Sequence, residues 1–171
     1  MDKFFYAGLF LCLICNVVKA DPERDRQSFV TYFQERFPDI PLSEYVNGAY
    51  SFDAGAREQW EAIEEFPPYE YAIDEGEKLF NSPFRNGTMY ADCFPNGGIG
   101  IRQNYPYFDT GSGQVITLEL AINQCREKND AAPLPYMKGE IASLSAYLTF
   151  TSRGKKINII IPDDPRALSA Y

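Results

Sequence analysis

The stretch from Asp92 to Asp109 places the tightest limit on what this chain can fold into. Pro95, Gly97, Gly98, Gly100 and Pro106 interrupt it too often for a helix or a strand, so it reads as an ordered loop. Its four aromatic rings, Phe94, Tyr105, Tyr107 and Phe108, argue against disorder, because disordered segments are poor in aromatics. A loop of this kind needs an anchor. Cys93 lies inside it, and Cys125, on a helix read just downstream, is the candidate partner.

The chain's other two cysteines, Cys12 and Cys15, sit in an apolar run from Phe4 to Val18 that follows Lys3. Residues 1–20 read as a secretory signal peptide cut after Ala20, and the run is shorter than the roughly 20 apolar residues of a comfortable membrane span. The mature chain is therefore expected to be exported, to a compartment where disulfides persist. Without Asp2, Lys3 and Lys19, the 16 basic and 24 acidic residues become 14 and 23, a net charge of −9. Nucleic acid and anionic membrane both need a basic face, so neither is expected as a partner.

The sequence has no histidine. That excludes Ser-His-Asp and Cys-His catalysis, most zinc and iron sites, and haem attached through Cys-x-x-Cys-His in this chain. No catalytic, cofactor-binding or metal-binding residue is assigned.

Hydrophobic periodicity supplies most of the helices. Phe29, Phe33 and Phe37 recur at helical spacing over Asp25–Phe37, with Pro38 as the stop. Residues 38–56 read as loop, and 57–65 as a short acidic helix around Trp60. A helix over 70–80 contains Gly76, and an interior glycine costs about 1 kcal/mol against alanine, so another backbone or a ring is expected close by. Thr117 is a good N-cap, followed by Leu118, Ala121, Ile122 and Cys125 on one face. A last helix spans 140–152, with Ile141, Leu144 and Leu148 as its stripe and Tyr147 nearby. Ile157 to Ile161 is a β-branched run, and a helix begins near Arg166.

The cysteine pair admits two readings, a structural disulfide or a redox-active or metal-binding pair. Cys-x-x-Cys spacing and histidine are both missing, which favours the disulfide. Gly97, Gly98 and Gly100 with Arg102 suggest turn geometry, with Arg102 pairing a local acid, rather than an anion cradle, since no helix follows at once. Glu64-Glu65 and Asp163-Asp164 read as solvated.

Three segments resemble the SoxA subunit of bacterial SoxAX c-type cytochromes: Tyr90 to Asp109, Val115 to Arg126, and Thr151 to Lys155. The resemblance extends from about Arg57 to Tyr171. It implies a mainly α fold: a cytochrome c-like domain lacking its own haem, preceded by an N-terminal helical arm. Helices 70–80 and 140–152 would be the crossed terminal helices. Cys93 stands at the first haem-attachment cysteine, but Phe94, Pro95, Asn96 and Gly97 follow it, and Cys125 fits the axial cysteine. The implied branch is the single-haem one, with a Cys93–Cys125 disulfide in place of the first haem.

The implied organisation is a signal peptide at 1–20, an arm at 21–66, the haemless domain at 67–156, and at 157–171 a linker entering a second cytochrome c domain. That second domain would hold haem c and the family's active cysteine. The family is an L-cysteine S-thiosulfotransferase of the periplasm. It joins thiosulfate oxidatively to a cysteine of a SoxYZ-type carrier and passes electrons through haem to a SoxX-type subunit. The present residues alone are expected to be inactive. The alternatives are a non-catalytic exported interaction module of the same fold, and a disulfide-exchange protein, which the apolar helix face around Cys125 disfavours.

Overall fold

Gly76 is where the architecture is decided. In the computed structural model, which describes residues 21–170, helices α3 (Glu70–Phe80) and α5 (Glu140–Phe150) cross at this glycine. A Cβ built on Gly76 would lie 1.9 Å from the Ser143 carbonyl oxygen and 2.9 Å from Tyr147 Cβ. The packing expected of this glycine is thus a backbone-to-backbone approach. The signal-peptide reading and Cys12 and Cys15 lie outside the described residues.

The chain is mainly helical. Ile141, Leu144 and Leu148 of α5 are wholly buried, and α4 (Leu118–Lys128) adds Leu118 and Ile122 to the same core. Thr117 caps α4 as expected, its side chain accepting from the Leu120 N–H at 3.1 Å. Phe80, Tyr90 and Phe94 close the core on the loop side, with Phe80 stacked on Tyr90 at 5.8 Å. A two-stranded antiparallel hairpin, β1 (Tyr107–Asp109) and β2 (Gln114–Ile116), pairs Tyr107 with Ile116 and leads into α4.

The arm folds largely on itself. Helix α1 spans Pro22–Arg36 and begins three residues before the expected start: Asp21 caps it and Pro22 takes the first turn, where the missing N–H costs nothing. Residues Leu42–Ser51, expected to be loop, form 3-10 turns, and α2 covers Ala54–Glu64. Phe33, Phe37, Tyr45 and Phe52 make a ring cluster, with Phe37 and Phe52 4.4 Å apart. None of the three elements has a buried residue.

Arg153 ties arm to body: its Nη2 donates to the Tyr69 hydroxyl at 2.6 Å and lies 3.5 Å from Glu64. Tyr69 donates in turn to the Glu64 carboxylate. Glu64 is therefore engaged rather than simply solvated. Asp164 likewise pairs with Arg166 at 2.7 Å. Residues 157–161 run extended past the loop, where the Asn158 N–H donates to the Gln103 carbonyl at 2.8 Å, and α6 (Pro165–Ala170) follows. Ile157 and Ile160 remain about four-fifths exposed.

Candidate disulfide site

The loop that constrains the sequence is held to the end of α5 by its backbone. Gly100 N–H donates to Thr151 Oγ1 at 3.1 Å, and Arg102 N–H to Ser152 Oγ at 2.9 Å. The Gly100 and Arg102 N–H groups are thus engaged within the fold rather than free to cradle an anion. Gly98, in the left-handed region at φ +83, lies where a Cβ would meet Phe80 Cζ at 2.5 Å, so both its conformation and its space demand glycine. Among the described residues Arg102 pairs with no acid. Its Nη1 donates to the Tyr105 carbonyl at 2.8 Å, bracing the turn from within.

Cys93 ends a 3-10 turn, Tyr90–Cys93, in which the Asp92 carboxylate accepts from the Met89 N–H at 2.8 Å. Cys125 lies on the inner face of α4. The two are bonded, with Cα atoms 5.7 Å apart. Asn129, at the C-cap of α4 and buried, organises the surroundings. Its Nδ2 donates to the Cys125 carbonyl at 2.9 Å and lies 3.5 Å from Cys93 Sγ and 3.8 Å from Cys125 Sγ. Its Oδ1 accepts from Asn86 Nδ2 at 2.9 Å and from the Thr88 hydroxyl. The Asn-Gly-Thr turn thus packs inward on the bridge.

A cleft of about 350 Å³ opens on the disulfide, lined by both cysteines with Tyr105, Tyr107, Gln124 and Lys128 among its walls. Tyr90, in the same 3-10 turn as Cys93, accepts at its hydroxyl from Arg126 Nη1 at 2.8 Å. Burial raises the Tyr90 phenol and the guanidinium partly offsets this. Burial, with Tyr107 adding to it, pushes the Tyr105 phenol up to about 12.

The Tyr105 shift has a measurable consequence. An unfolded tyrosine ionises near 10.0, whereas folded Tyr105 keeps its proton to about 12. The unfolded state therefore releases its proton first, and stability falls as pH rises from about 10 to about 12. Urea midpoints measured across that window are expected to decline less steeply in Tyr105→Phe. An unchanged slope would assign the decline to other groups.

Sequence reasoning found Cys93 and Cys125 but missed Asn129 and Lys128. Asparagine just after a helix is itself a capping signal, and that signal points to Asn129. Lys128 lies in the last turn of α4, where a cation suits the helix dipole.

The chain is similar to known proteins over most of its length. The family model for the SoxA/TsdA cytochrome c domain matches residues 75–157, which contain both cysteines, all of α5 and the second half of α3 with Gly76. The L-cysteine S-thiosulfotransferase subunit SoxA of Allochromatium vinosum is 53% identical over 156 residues, covering 91% of this chain and 55% of its own length. The subunit of the same name from Chlorobaculum tepidum is 47% identical over 137 residues, covering 80% of this chain and 48% of its own. The chain spans about half the length of these relatives. Crossed helices around Gly76, the loop docked on them and this degree of identity go together with the match of residues 75–157 to the SoxA/TsdA cytochrome c domain.

Proposed function

We propose that this chain is the N-terminal, haemless portion of a periplasmic SoxA-type subunit. The system it serves joins thiosulfate oxidatively to a cysteine of a SoxYZ-type carrier and passes electrons through haem to a SoxX-type subunit. The observation that carries the reading is the Cys93–Cys125 bridge within a cytochrome c fold. Covalent haem needs two free thiols and a histidine in Cys-x-x-Cys-His. Here both thiols are bonded to each other, the chain has no histidine, and Asn96 and Gly97, three and four residues after Cys93, turn through the left-handed region. These residues do not fit c-type haem.

On this reading, residues 21–66 are an arm, 67–156 the haemless domain, and 157–171 the passage to a second domain that would hold haem c and the reactive cysteine. Residues 1–20 would direct export. No helix among the described residues is long and apolar enough to cross a membrane.

The test is to produce the full chain together with a SoxX-type cytochrome subunit and purify by a tag on the chain. Co-purification is expected, with covalent haem stain on the SoxX-type band alone and no thiosulfotransferase activity from the chain by itself. Haem stain on this chain would overturn the haemless assignment. Failure to co-purify would favour a free-standing exported interaction module.

A further inference from the structure

We propose that the Cys93–Cys125 disulfide is a thiol–disulfide exchange site, reached through its cleft by a small anionic thiol. The two sulfurs are not equivalent. Cys125 is only 3% exposed, while Cys93 is half-buried, and both line the cleft. An incoming thiolate therefore meets Cys93 Sγ.

Charge supports the choice of reagent. In a chain of net charge −8, the cleft is lined by no carboxylate, and its one charged side chain is Lys128. Lys128 is exposed, sits nearly one turn beyond Cys125 on α4 and lines the cleft, so it places a cation at the site an anion would enter. This reverses, locally, the repulsion the rest of the surface presents.

The leaving group is also provided for. Asn129 Nδ2 is a donor within 3.5 Å of Cys93 Sγ and 3.8 Å of Cys125 Sγ, and the Asn86 amide donating to Asn129 Oδ1 fixes which end of the side chain faces the sulfurs. The end of α4 presents the negative pole of its helix dipole, which opposes a thiolate at Cys125. The Asn129 donor and the Lys128 charge offset it.

The chemistry balances with a thiol as the only co-reactant. The attacking thiolate forms a bond to Cys93 Sγ, the Sγ–Sγ bond breaks, and its electron pair leaves on Cys125 Sγ. A second thiol then attacks the mixed disulfide at the reagent's sulfur and releases Cys93. The protein gains two electrons and the two protons given up by the thiols, and the reagent departs as its own disulfide.

The test treats the full chain, without denaturant, with 2-mercaptoethanesulfonate and in parallel with cysteamine. The adduct is located by peptide mapping, so that reaction at Cys12 or Cys15 is not counted. The expected product is an adduct on Cys93 with Cys125 free. Lys128→Glu is expected to slow the sulfonate thiol about tenfold, the scale of a two-unit charge change a few ångströms away in water, and to leave cysteamine as fast or faster. Adduct on Cys125, reaction only after denaturation, or equal slowing of both reagents would each overturn the proposal. None of these outcomes depends on the family's activity.

Discussion

Gly76→Ala will lower the stability of the fold by about 3 kcal/mol or more. On an isolated helix the change would help, because alanine is favoured over glycine by about 1 kcal/mol. Here the added methyl carbon falls 1.9 Å from the Ser143 carbonyl oxygen and 2.6 Å from its carbon. Both are backbone atoms inside α5 and cannot rotate away. Relief requires the two helix axes to separate, which would open the contacts of Leu144 and Leu148, both wholly buried. The steric cost therefore exceeds the propensity gain. The check is a urea denaturation curve, where the midpoint is expected to fall sharply. A midpoint at or above that of the unaltered chain would mean that the crossing is not a rigid contact.

The second large effect is expected from removing the bridge. Cys93 and Cys125 are 32 residues apart in sequence, and on the chain-entropy estimate closing such a loop contributes about 3–4 kcal/mol. The double variant Cys93→Ala, Cys125→Ala is expected to lose that amount. The loop need not rearrange at once, because Gly100 and Arg102 still hold it to Thr151 and Ser152. Secondary structure by circular dichroism should then be kept at low temperature while the urea midpoint drops. If the double variant matches the unaltered chain in urea, the bridge is not a stabilising element.

Much of the core was legible because its helices repeat at the helical period and carry clear end signals. Helix α3 and the N-terminus of α4 fall where the sequence placed them, and Gly76 announced close packing by being costly anywhere else. The hairpin at residues 107–116 was not legible. Its strands are three residues each, too short for alternation to register, and Asp109 to Gly113 lacks an Asn-Gly or Asp-Gly turn. The start of α1 was visible in principle, since Asp21-Pro22 is a cap followed by a first-turn proline, but apolar spacing pulled the reading to Asp25. Arg102 illustrates a different limit. A cation invites an acidic partner on paper, yet five N–H donors serve a turn carbonyl equally well, and only the fold says which is near. Asn129 was hidden for the same reason: its partners Asn86 and Thr88 are some forty residues away in sequence.

The crossing of α3 and α5 also bears on how quickly the chain can find its native state. The two helices are joined by residues 81–139, so their contact is among the least local in the molecule, and a searching chain must close that whole span before the core rewards it. The bridge changes the geometry of the search. Once Cys93 and Cys125 are joined, the covalent path from Phe80 to Glu140 bypasses residues 94–124, and roughly half of the span no longer has to be closed. The bond that fastens the loop in the finished protein is thus also a shortcut, and an oxidised chain begins its collapse with its two principal helices already drawn towards each other.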